Sequence, residues 1–319
     1  MKRMLVGILV LALLALPALG LAEGAPTIGI IQYVQHVALD AARDGFIQAL
    51  ADNGLEDGKN LTLDIQNAQA DASNLATISD RFVANKVNMV LAIATPAAQT
   101  IAGKTTDIPI LGTAITDYVV ARLIDSNEVP GTNVSGTTDM NPVAEQIGLI
   151  QELFPETKTV GVVYTSSEDN SILQAQMAKE AIEALGMVYA EVTVTNSNDV
   201  QQAMQSIVEN CDAIYLPTDN VLASAMPIVY EIATASKIPV IGGEAGMVQS
   251  GALATLGINY YELGYQTGLM ALRVLDGEDI TQMPIESATN MDYTFNSTFA
   301  EAIGFEIPEA YQPFAAPME

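Results

Sequence analysis

The chain is short of the residues on which most catalytic and metal chemistry depends. One cysteine, Cys211, in 319 residues excludes an internal disulfide framework and a cysteine-based zinc cluster. One histidine, His36, excludes every multi-histidine metal site. There is no tryptophan, the residue on which sugar rings commonly stack. Basic residues are few: 12 Lys and Arg stand against 38 Asp and Glu, a net charge of −26. Most of such a surface repels nucleic acid and anionic membrane. No Gly-x-Gly-x-x-Gly follows the first strand, and no Gly-x-Ser-x-Gly elbow occurs. AQTIAGKT (98–105) imitates the end of a phosphate-binding loop, but Ala98 stands where the first glycine belongs. No cofactor or metal is expected. His36 also lacks the nucleophile and orienting acid that a catalytic imidazole needs.

What is present begins with an export signal. Lys2 and Arg3 precede an apolar run from Met4 to about Leu16, and small residues follow at Gly20 and Ala22. This pattern predicts a signal peptide over residues 1–22, cleaved after Ala22; a retained membrane anchor is the alternative. No cysteine follows the run, so lipid attachment there is excluded. The expected product is periplasmic or extracellular. Hydrophobic residues are 50% of the chain, ample for ordinary cores. Cys211, just before the apolar run 213–216, reads as a buried structural thiol.

The remainder repeats one plan. TIGIIQY (27–33), LTLDIQN (61–67), NMVLAIA (88–94) and IPILG (108–112) read as strands, with helices at 37–50 and from about 71 to 82 between them. TVGVVY (159–164), VYAEVTV (188–194), DAIYL (212–216) and IPVIG (238–242) repeat the series, with helices near 173–185 and 198–208. Thr27 and Thr159 stand 132 positions apart, Pro109 and Pro239 130 apart. Near-equal offsets predict an α/β protein of two doubly wound parallel-sheet lobes joined by a multi-strand hinge. Lobe 1 is expected over 27–138 plus 261–289, and lobe 2 over 139–260 plus 290–319. A single α/β domain with a long tail is the alternative.

In parallel sheets, ligands lie beyond the carboxyl ends of the strands. The loops to watch are therefore 34–36, 95–98, 113–118, 165–171, 217–220 and 243–246. Thr95, Ala97 and Ala98 open a helix whose N–H groups suit a carboxylate, and Asn170 and Ser171 do the same in the second lobe. Asp219 and Glu244 are read as anions at opposing loop tips, placed to hold an ammonium. Ser171, Asp219 and Asn220 are equally good helix caps. Tyr33, Tyr118, Tyr164 and Tyr215 lie near strand ends, where they would flank an apolar side chain.

These stretches carry a resemblance. QHVALDAARDGF (35–46), AIATPAAQ (92–99), AITD (114–117), GVVYTSSEDNS (161–171), AIYLPTDN (213–220) and GINYYELGYQTG (257–268) are similar, in order, to the family of ABC-transporter substrate-binding proteins with tryptophan-, tyrosine- and phenylalanine-binding members. The resemblance implies a type I periplasmic-binding fold, a small zwitterionic ligand such as an aromatic amino acid, a membrane permease as partner, and no enzyme activity. It implies ligand contacts around His36, Thr95–Ala98, Thr116 and Asp117, Asn170 and Ser171, Thr218–Asn220, and Glu244. The family often has proline where this chain has Val37 and Tyr118, which places Tyr118 at the cleft rim. A monomer is expected, with no nucleic-acid partner. A sugar, nucleoside or peptide ligand on the same fold, or an exported enzyme, are the alternative readings.

Overall fold

Short β-branched runs bounded by glycine and polar residues form the strands, and each is followed by a helix that covers a face of the sheet. The computed structural model describes residues 24–288 and 290–318; the expected signal segment lies outside the described residues. Lobe 1 contains β1 (Thr27–Gln32), α1 (Val37–Asp52), β2 (Thr62–Asn67), α2 (Ala72–Asn85), β3 (Met89–Ile93), α3 (Thr95–Ala102), β4 (Ile110–Ile115) and β5 (Val134–Thr138). Lobe 2 follows with α4 (Val143–Leu153), β6 (Thr159–Thr165), α5 (Asp169–Ala184), β7 (Val188–Val194), α6 (Val200–Ile207), β8 (Ala213–Leu216), α7 (Asn220–Ser224), α8 (Met226–Ser236), β9 (Val240–Gly242), α9 (Ala245–Ser250) and β10 (Ala254–Ile258). The chain then returns through α10 (Tyr260–Leu275) and β11 (Glu286–Ser287) to lobe 1. It ends in lobe 2 with β12 (Met291–Asn296), α11 (Ser297–Ile303) and β13 (Ala315–Ala316).

The first sheet runs β11-β5-β4-β3-β1-β2, all parallel. The second runs β13-β12-β10-β9-β8-β6-β7, parallel except where β12 meets β10. Each lobe has its own buried apolar cluster, so neither needs the other for a core. Three connections cross between them: β5 to α4, β10 to α10, and β11 to β12. Helix α10 is tied to lobe 1 by backbone contact with α1. A Cβ on Gly264 would lie 1.8 Å from the Ala42 carbonyl oxygen, and one on Gly45 2.0 Å from that of Tyr261. Only glycine permits that approach. The lobes can therefore rotate about the crossings while each stays intact.

Candidate functional site

A closed chamber lies where the strand ends of the two lobes meet. Lobe 1 and the hinge supply His36 and Leu39 after β1, Ala114 and Thr116 at β4, Asp139 after β5, and Tyr260 at the start of α10. Lobe 2 supplies Asn170, Thr218, Asp219, Asn220, Ala223 and Glu244 from the loops and helix starts after β6, β8 and β9. Direct bonds hold the lobes together over it. His36 Nε2 is 3.3 Å from Asn220 Oδ1, Gln99 Nε2 donates to Asp169 Oδ2 at 2.8 Å, and Gln174 Nε2 donates to Thr116 Oγ1 at 3.3 Å. Gly246 at the start of α9 packs on α1, where a Cβ would lie 3.0 Å from the Ala38 nitrogen. The enclosed space is about 10 Å³, enough for one water.

Four buried carboxyls surround this chamber, and among the described residues no lysine or arginine lines it. Two are fully engaged. Asp139 accepts from Thr116 Oγ1 at 3.0 Å and from Tyr260 OH at 2.7 Å. Asp219 accepts from Thr165 N at 2.6 Å, Thr165 Oγ1 at 2.8 Å and Leu222 N at 2.9 Å, capping α7. The other two are half engaged. Glu168 uses Oε2 to accept from Asn170 and Asn220, and Glu244 uses Oε2 to accept from Gly246 N at the start of α9. Burial raises the pKa of all four. Glu244 is pushed up to about 7, and the neighbouring Asp219 charge adds to the rise at Glu168. Burial takes His36 the other way, down to about 4, so its ring is neutral.

Among the described residues, five buried side-chain atoms lack a hydrogen-bond partner: His36 Nδ1, Ser79 Oγ, Glu168 Oε1, Asn170 Oδ1 and Glu244 Oε1. All but Ser79 belong to the chamber wall or, for Glu168, the layer directly behind it. With Nε2–H directed at Asn220, the neutral His36 ring presents Nδ1 as an acceptor. The four unmet groups are thus all acceptors. Natural proteins leave few buried polar atoms unmet, so a cluster of four acceptors calls for a donor from outside the chain.

Of the thirteen residues expected to contact ligand, His36, Thr116, Asn170, Thr218, Asp219, Asn220 and Glu244 line the chamber. Tyr33, Thr95, Ala97, Ala98, Asp117 and Ser171 do not. Thr95, Ala97 and Ala98 are buried at the start of α3, and Ser171 is buried in the first turn of α5. Asp117 caps the turn at Val119 and Val120, accepting from both N–H groups at 2.9 Å. Asp219 and Glu244 do not oppose each other, because they follow β8 and β9, neighbours in one sheet. Tyr118 is no rim residue. It is buried in lobe 1 with its OH donating to the Thr137 carbonyl oxygen at 2.9 Å, over Gly112 and Gly136. Tyr215 is a core residue that donates to Gln146, and Tyr164 a lobe-edge residue that donates to Glu191. Asp139, Glu168 and Tyr260 were not singled out by the sequence.

The floor of lobe 1 carries backbone strain. Ala94, between β3 and α3, has φ 81° and ψ 153°, a region otherwise left to glycine. Its strain offsets the methyl burial and chain entropy that alanine normally contributes. Ala94→Gly should therefore be neutral or slightly stabilising. The same change at Ala92, within β3, should cost about 1.5 kcal/mol; paired denaturant titrations check the contrast, and equal losses at both sites would refute it.

Residues 27–317 match the family model for ABC transporter substrate binding protein. The chain is 41% identical over 279 residues to a tyrosine-binding protein of Clostridioides difficile, covering 88% of this chain and 81% of that one. A Streptococcus pneumonia ABC domain in complex with L-Trp superposes with a TM-score of 0.88 at 35% identity, over 92% of this chain and 99% of that one. The ligand-free, open structure of a Clostridium difficile substrate-binding protein with adhesive properties is more similar in sequence, at 44%. It nonetheless superposes less well, with a TM-score of 0.70 over 92% of this chain and 100% of that one. The direct bonds between the lobes of this chain set its shape apart from that open one. The two lobes form the type I periplasmic-binding fold, and the chain belongs to the ABC transporter substrate-binding protein family, whose extracytoplasmic members bind a small molecule for a membrane permease and are not enzymes.

Proposed function

We propose that this protein captures an aromatic L-amino acid between its lobes and hands it unaltered to its permease. In this reading it works as a monomer in the periplasm or outside the cell, after removal of residues 1–22. The observation that carries the ligand class is the set of four unmet acceptors. A primary ammonium brings three N–H donors and the positive charge that the buried carboxyls lack. The partner carboxylate suits the start of α1, a helix of 16 residues whose first N–H groups receive no side-chain cap. The relatives named for tyrosine and solved with L-Trp support an aromatic side chain.

The chamber holds one water when closed, so ligand enters with the lobes apart, and the bound population follows its differential affinity for the closed form. A thermal-shift panel of the twenty amino acids, with sugars and nucleosides beside them, tests the reading. At a hundredfold excess over its dissociation constant, a ligand stabilises by about 2.7 kcal/mol, a rise of several degrees. Tyrosine, tryptophan or phenylalanine is expected to give it. A response to sugars or nucleosides alone would overturn the proposal.

A further inference from the structure

The chamber, about 10 Å³, has no room for an aromatic ring, since a benzene-sized molecule occupies a cavity of about 150 Å³. A second compartment of about 280 Å³ adjoins it at the hinge end of the cleft, and Glu244 and Tyr260 line both. Its walls come from different lobes: Val37 and Ala41 on α1, and Gly246 and Gln249 on α9. The hinge strands form its floor, with Ile258 on β10 and Asp292 on β12. It therefore takes this shape only when the lobes are together.

Its chemistry is graded. Val37, Ala38 and Ala41 give the α1 wall an apolar surface, Gln249, Asn259 and Thr294 add neutral polar groups, and the floor ends in the exposed Asp292 carboxylate. Asp292 pairs with Gly257 across the antiparallel β10–β12 ladder, so both project from one face of the sheet. A Cβ on Gly257 would lie 3.8 Å from Glu244 Cα, so that face looks toward Glu244. Glu244, buried with Oε1 unmet, thus stands between the chamber and the compartment. Among the described residues, no basic one lines the compartment.

We infer that the hinge-side compartment receives the ligand's side chain, and that Asp292 selects a ring bearing a hydrogen-bond donor over a bare or anionic ring. The inference rests on the amino-acid reading above, with the ligand ammonium at Glu244. A tyrosine hydroxyl would donate to the Asp292 carboxylate; a phosphorylated ring would face two carboxylates with no cation between them.

Calorimetric titration of L-tyrosine, L-phenylalanine and O-phosphotyrosine into the wild-type protein, Asp292→Ala and Ala41→Met tests this. Asp292→Ala is expected to weaken tyrosine binding by roughly fivefold and to leave phenylalanine within about twofold. Ala41→Met fills the compartment from a half-buried position on α1 and is expected to weaken both by at least about tenfold. O-phosphotyrosine is expected not to bind. An unchanged tyrosine-to-phenylalanine ratio in Asp292→Ala overturns the inference while the proposed function stands. If Ala41→Met does not fold, that ratio decides alone. Wild-type protein that binds neither amino acid overturns the inference, and overturns the proposed function as well only if L-tryptophan also fails to bind.

Discussion

Glu244→Gln is expected to weaken amino-acid binding by about 100-fold while leaving the fold intact. Glutamine keeps the side-chain oxygen that accepts from Gly246 N, so the start of α9 stays capped. It removes the charge and turns the unmet Oε1 position into a competing donor. Losing one partner of a desolvated, hydrogen-bonded charge pair costs about 2–5 kcal/mol, and 100-fold lies at the lower end of that range. Asp219→Asn provides the contrast. Asp219 spends both oxygens on Thr165 and Leu222, and so its loss should appear first as lower stability of lobe 2. Titration calorimetry with parallel melting curves separates the two. Unaltered affinity in Glu244→Gln would remove Glu244 from the site.

The contrast between these two acids shows how far the sequence could be read. Alternation of strand and helix, and the repeat offset near 130, depend on local periodicity, and both lobes follow from them. Asp219 and Glu244 each follow a buried strand, so both reach the chamber. Both cap the helix that follows; whether the second oxygen is also engaged depends, for Asp219, on Thr165, 54 positions away, and no local pattern reports that. Asp139 and Tyr260 were missed for the same reason: their bond spans 121 positions and forms only at the hinge. Tyr118 misled because it follows β4 directly. The signal that would have buried it lies elsewhere, in Gly112 and Gly136, where a Cβ would lie 2.7 and 2.5 Å from the tyrosine oxygen. Small residues facing each other on adjacent strands mark room for a large neighbour, but only once the register of β4 and β5 is known.

The empty protein should close as the pH is lowered from about 8.5 to 6.5, and the ligand-bound protein should not respond. In the open form Glu244 is solvated and titrates near its ordinary 4.5; in the closed cleft it titrates near 7. Between these values the closed form holds a proton that the open form does not, so protons favour closure there. The advantage is lost as the pH rises through 7. Over the stated range Glu244 alone shifts the closed-to-open ratio by about fourfold. Glu168 and its partners Asp219, Asn170 and Asn220 all lie in lobe 2, so their interactions persist on opening and Glu168 does not enter this ratio. Other groups facing Glu244 are Asp139, Tyr260 and Asp292, none of them cationic at these pH values. His36 opposes the trend below about 6.5, where the open form protonates a ring that the closed cleft keeps neutral down to about 4. Closure of the empty protein should therefore stop growing near pH 6.5. An ammonium replaces the proton as the carboxylates' partner, which removes the pH dependence once ligand is bound. Small-angle scattering of the empty and loaded protein across this range reads the radius directly. Expansion of the empty form between pH 8.5 and 6.5, or an equal swing with ligand bound, would show that the buried carboxyls do not govern closure.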